Sequence, residues 1–154
     1  MAKKGADILA TIKHIAISAK DNEKLAEFYK KAFGMKEVFR QPAGTSGRTA
    51  YYLSDGHINL AILPTGPNGK EGLNHFGFHI EDMEAYSKAA VENGASQGPA
   101  GVPRDGRFAE QYVLDPVGAR IDLSVSGWAT EPLTEAETEA RLNAPEAAPR
   151  IAAQ

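Results

Sequence analysis

The feature that most constrains this chain is an internal repeat. Lys13-His14-Ile15 aligns with Asn74-His75-Phe76, and Asp21 with Asp82, at a shift of about 61 residues. Further on, Ile58-Asn59-Leu60 aligns with Ile121-Asp122-Leu123 at a shift of about 63. A loop insertion accounts for the small drift. A chain that repeats itself at this period must fold as two copies of one supersecondary unit.

The order of elements inside each copy follows from hydrophobic periodicity. Thr11 to Ser18 alternates, with Ile15 and Ile17 on one face and His14, Ala16 and Ser18 on the other, as in a half-buried strand. Asp21 is placed to cap a helix in which Leu25, Phe28, Tyr29 and Ala32 recur at helical spacing, and Gly34 suits a left-handed C-cap. Lys36–Arg40, Arg48–Leu53 and His57–Leu63 read as strands, the last two joined by a tight Asp55-Gly56 turn. Pro64 to Gly72 reads as a linker. The order then recurs: a strand over Asn74–Ile80, a helix over Met83–Asn93, a glycine-rich strand over Ala95–Val102, and strands over Phe108–Leu114 and Ala119–Val125.

The expected fold is therefore α+β: two βαβββ modules, about residues 10–63 and 73–129, forming a curved mixed sheet around a cleft. Residues 1–129 make up that domain. Residues 130–154 are rich in Ala, Glu and Pro; Thr134 with Glu137 matches a capping box, so a short helix to about Leu142 is expected, then a disordered tail.

The two faces of the strands separate core from chemistry. Ile15, Ile17, Leu60, Ile62, Phe76, Phe78, Ile121 and Leu123 can pack under the helices, leaving His14, Asn59, His75 and Asp122 on the opposite face. A single histidine on an apolar strand is more often an interior polar residue than a ligand. Two histidines and an aspartate at repeat-related positions are harder to ascribe to chance. Two neutral imidazoles and one carboxylate suit a divalent ion such as Fe, Mn, Zn, Ni or Co. With no cysteine in the chain, thiolate sites, disulfides and a cysteine nucleophile are all excluded.

His79 shares the parity of His75 and is a candidate acid–base residue. Glu110 as a base and Tyr112 as a donor to a substrate oxygen are further candidates, although the pattern of Ala109–Leu114 does not reveal which parity faces the cleft. His57, beside a turn, reads as a surface residue. Arg104, Arg107 and Arg120 are candidates to bind an anionic substrate group, but each singly reads as surface charge, Arg120 sharing the parity of Asp122. Gly44–Arg48 lacks the spacing and lysine of a phosphate loop.

KHIAISAKD, KLAEFYKKAFGM, NHFGFHIED and LDPVGARIDLSVSGW together resemble the vicinal oxygen chelate superfamily, the glyoxalase, bleomycin-resistance and extradiol-dioxygenase group. The resemblance spans about Ile12 to Trp128. It implies paired βαβββ modules around a metal cleft, usually in a dimer. It places metal ligands on His14, His75 and Asp122, with the fourth ligand position on Asn59. The family commonly has Glu where this chain has Asp122. Glyoxalase I enzymes usually have Glu or His where this chain has Asn59, which argues against a simple lactoylglutathione lyase.

The function implied is a metalloenzyme acting on a small vicinal-oxygen substrate, by lyase or isomerase chemistry or as a dioxygenase. The alternative is a metal-free protein that sequesters a drug-like molecule, as bleomycin-resistance relatives do; the three candidate ligands weigh against it. A third possibility, an interaction protein, rests on the acidic tail alone. A net charge of −3 offers no footprint for nucleic acid. No run of the chain is long and apolar enough for a membrane span, and the N-terminus does not read as a secretory signal, so the expectation is a cytoplasmic protein; the family resemblance implies a homodimer.

Overall fold

A computed structural model of the protein describes residues 10–43, 48–97, 109 and 111–143. The strands and helices are β1 (Thr11–Ala19), α1 (Asn22–Phe33), β2 (Lys36–Ala43), β3 (Arg48–Ser54), β4 (Asn59–Pro64), β5 (Gly72–His79), α2 (Met83–Glu92), β6 (Ser96–Gln97), β7 (Gln111–Leu114), β8 (Arg120–Ser124) and α3 (Glu135–Asn143). The strand order is β2-β3-β4-β1-β5-β8-β7-β6, a mixed α+β arrangement that repeats β-α-β-β-β as expected. Two compact units divide the chain. One comprises His14–His75 with Ala129–Asn143, and the other is built on Phe76–Trp128. Strand β5 begins in one and ends in the other.

In the first unit β1 runs parallel to β4, and β4 and β2 both run antiparallel to β3. Helix α1 forms because the Asp21 side chain accepts from the Lys24 backbone N–H, and ends where Gly34 adopts φ 66°. Its apolar stripe packs Ala26, Leu25 and Tyr29 on Ile15, Ile17, Tyr51, Leu53, Leu60 and Ile62. The reverse face of the same sheet carries Ala16, Val38, Phe39, Ala50, Tyr52 and Ala61. There the chain returns after Trp128: Ala129 and Leu133 pack on that cluster, and the Leu133 N–H donates to the Val38 carbonyl. Helix α3 follows, with its capping box closed in both directions. Glu137 accepts from the Thr134 N–H, and Thr134 Oγ1 accepts from the Glu137 N–H.

In the second unit β5 is parallel to β8, and β7 is antiparallel to both β8 and β6. Asp82 repeats the cap of Asp21, accepting from the Ala85 N–H at the start of α2. The core is Ile80, Val113 and Leu123 under Phe78, Met83, Tyr86 and Ala90. Of the strand expected over Ala95–Val102, Ser96–Gln97 form β6, and residues 98–102 lie outside the described residues. Gly44–Gly47, Arg104, Arg107, Glu110 and the expected tail lie outside them. No helix is long and apolar enough to cross a membrane among the described residues.

Strand register agrees with the repeat. His14 pairs with Asn59 and Gly77 with Asp122, at the same sequence separation in both modules. Asp122 therefore lies opposite the residue two beyond His75, which is the drift from about 61 to about 63 already present in the sequence.

Candidate metal centre

The polar face of β1 and β4 is buried. His14 is 4% exposed, Asn59 2% and His75 8%. Buried polar groups of this kind require hydrogen-bond partners, and each imidazole has one at Nδ1. His14 Nδ1 lies 3.2 Å from Asn59 Oδ1, and His75 Nδ1 lies 2.7 Å from Asn74 Oδ1. The Asn59 amide is oriented by its other end, because Nδ2 donates to the Ala129 carbonyl at 2.8 Å and a carbonyl only accepts. Asn74 Nδ2 donates to Ser18 Oγ at 2.9 Å. With the amide oxygens on the rings, each Nδ1 donates, and in a neutral imidazole Nε2 then presents a lone pair.

Those two lone pairs face each other. His14 Nε2 and His75 Nε2 are 3.3 Å apart, and the rings are tilted by 41° with centroids at 5.3 Å. Two lone pairs so placed are an arrangement that one shared cation would hold together. The spacing matches the separation of about 3.3–3.4 Å that two imidazole nitrogens adopt at tetrahedral angles around an ion with bonds of about 2.0–2.1 Å. The histidine pair fits a divalent metal of the first transition row. Asn59, expected at the fourth ligand position, turns its oxygen to the His14 ring.

In the Phe76–Trp128 unit Asp122 is buried, and its Oδ1 accepts from Arg120 Nε at 2.7 Å. The Arg120 guanidinium lies 4.5 Å from the centre of the Tyr112 ring, so Arg120 orients two residues rather than standing as surface charge. Register resolves the parity of β7: Tyr112 pairs with Asp122 and shares its face, while Gln111 pairs with Leu123 and places Oε1 3.2 Å from Ser87 Oγ of α2. Gly77, the partner of Asp122, carries the indole of Trp128 where a side chain would stand.

His79 is exposed at the end of β5, with Nε2 3.2 Å from the Val125 carbonyl and its ring against Gly127. His57 is exposed beside the Asp55 turn, as expected of a surface residue; Asp55 accepts from the His57 and Ile58 N–H groups, and these bonds lower its pKa. Sequence reasoning missed Asn74 and Trp128. The one available signal for Asn74 was its position directly before His75.

The Glyoxalase/Bleomycin resistance protein/Dioxygenase superfamily model matches residues 11–123. No curated protein matches the chain. A hypothetical protein from Bacillus halodurans C-125 superposes with a TM-score of 0.60 at 16% identity, covering 82% of this chain and 99% of its own. A Streptomyces coelicolor methylmalonyl-CoA epimerase variant in complex with 2-nitronate-propionyl-CoA gives 0.57 at 21% identity, covering 79% of this chain and 99% of its own. The Mycobacterium tuberculosis methylmalonyl-CoA epimerase gives 0.58 at 15%, covering 86% and 98%. At these identities the likeness is one of fold. The family match spans both repeated modules, and the chain belongs to the Glyoxalase/Bleomycin resistance protein/Dioxygenase superfamily.

Proposed function

We propose that the protein is a divalent-metal-dependent enzyme acting on a small molecule with vicinal oxygens, and that its reaction is an isomerisation by proton transfer next to a carbonyl. His14, His75 and Asp122 are the proposed ligands; all three are buried. The observation that carries the reading is the pair of buried Nε2 atoms 3.3 Å apart, each ring having an asparagine oxygen at its Nδ1. The third ligand rests on the repeat, which equates Asp122 with Asn59 on the last strand of its module. Three protein ligands leave coordination positions for substrate oxygens.

The bound ion would supply charge that offsets a developing enolate. The protein's own groups divide the remaining work. A base removes the proton next to the carbonyl, the C–H electron pair becomes the enolate, a proton from solvent is delivered to the opposite face of the carbon, and the base gives its own proton back to solvent. Glu110, two residues before Tyr112, is the proposed base, and the Tyr112 hydroxyl the proposed donor to the substrate oxygen. His79, whose Nε2 lies 3.2 Å from the Val125 carbonyl, is the further proposed acid–base residue. The epimerases of similar fold favour isomerase chemistry over lyase or dioxygenase chemistry, and make a coenzyme A thioester the first substrate to try.

Metal analysis of the purified protein tests the site. The expected result is a stoichiometric transition metal that is lost when His14→Ala and His75→Ala are combined. Full occupancy in that variant overturns the reading. Deuterium wash-in from solvent, followed on methylmalonyl-CoA and on simpler 2-substituted malonyl thioesters, tests the reaction. A catechol-dependent uptake of oxygen without exchange would replace isomerase by dioxygenase chemistry.

A further inference from the structure

We infer that Asn59 and Asn74 are positioning residues that hold His14 and His75 in the Nδ1–H tautomer with Nε2 directed to the metal. The inference rests on the metal reading of the histidine pair but uses different atoms. Each asparagine is anchored at its amide nitrogen, Asn59 by the Ala129 carbonyl and Asn74 by Ser18 Oγ. Each places its amide oxygen on a ring nitrogen.

The two devices differ in construction. Asn59 comes from the neighbouring strand, paired directly with His14, and is locked by the segment that returns after Trp128. Asn74 precedes His75 on the same strand and is locked across to β1. An acceptor at Nδ1 fixes the tautomer and ring orientation and raises the basicity of Nε2, and loss of such a partner typically costs about 10–100-fold in metal affinity. On this account Asn59 is an orienting group, and the metal keeps three protein ligands.

Asn74→Ala is the informative variant, because Asn74 is exposed and its loss leaves the core intact. Two measurements are needed. Long-range proton–nitrogen correlation spectra of the metal-free protein report the tautomer of each histidine. Titration with Zn(II) or Co(II) reports affinity.

The expected result is Nδ1–H at both rings in the wild type. In Asn74→Ala, His75 shifts toward Nε2–H and affinity falls about 10–100-fold. Asn74→Asp, which keeps an acceptor, recovers most of that loss. Nε2–H tautomers in the wild type, or an Asn74→Ala affinity within about twofold of wild type, would overturn the inference. Asn59→Ala serves as the second variant, judged by the His14 tautomer. A wild type that binds neither ion refutes the metal reading alone, since the spectra still decide whether the asparagines set the tautomers.

Discussion

The Cβ that Gly77 lacks would fall 2.7 Å from the Trp128 ring and 3.2 Å from the Asp122 Cβ. Glycine at this point is a matter of space. The indole occupies the volume a side chain would need, on the residue paired with Asp122. Gly77→Ala should therefore destabilise the protein by roughly 1–3 kcal/mol, the usual cost of overpacking. Trp128 is the sole tryptophan, so denaturant unfolding followed by its emission reads the variant directly. If the clash is the cause, Gly77→Ala in a Trp128→Ala background costs less than in the wild type, with unfolding there followed by circular dichroism. Additive costs in the double variant would show that something other than this contact is responsible.

Chelation tests the metal through stability. A ligand held only by the folded state adds about 2.7 kcal/mol at a hundredfold excess over its Kd. In a chain of this size each kcal/mol moves Tm by about 2–4 °C. Treatment with a strong chelator should therefore lower Tm by roughly 5–11 °C. The combined His14→Ala and His75→Ala variant should melt at one temperature with and without chelator. An equal chelator shift in both proteins would place the metal elsewhere.

The two caps are a matched pair. Asp21 and Asp82 each accept from a backbone N–H three residues on, at 3.1 and 2.9 Å. Asp21→Ala and Asp82→Ala should each cost about 1 kcal/mol, and Ser in place of either should restore most of it. Urea midpoints of the four variants check this. A loss confined to one site would mean the repeat is unequal at its helix starts.

Glu37 supplies an acid-sensitive contribution. Burial pushes its carboxyl up, but hydrogen bonds and charge from Arg40 and Lys30 outweigh that and leave it lowered. A lowered folded pKa stabilises above the unfolded glutamate value of about 4.3 and is lost as the pH falls through the folded value. Glu37→Gln should cost about 0.5–1 kcal/mol at neutral pH, the range of a partly exposed pair. The gap to wild type should narrow below about pH 4.3. Unfolding curves at pH 7 and pH 3 measure it, and a gap that widens in acid would contradict the assignment.

Much of this was legible because local rules carry it. Hydrophobic alternation separated Ile15 and Ile17 from His14 and Ser18, and in the structure the first pair packs, half-buried, under α1 while the second pair is buried on the reverse face. Asp21, Gly34, Asp82 and the Thr134–Glu137 box were readable because a cap is a contact over three or four residues. The parity of Tyr112 was not readable, since both faces of β7 mix polar and apolar residues. Pairing with Asp122 settles it.

The sequence by itself determined the repeat, the order of elements, and the face on which His14, Asn59, His75 and Asp122 stand. Those depend on periodicity, which is a property of neighbours along the chain. Only the tertiary structure decided which face of β7 Tyr112 takes, and the direction in which Asn59 and Asn74 turn their amides. An amide's orientation depends on what lies at its far end, here the Ala129 carbonyl and Ser18 Oγ, and both are brought there by the fold.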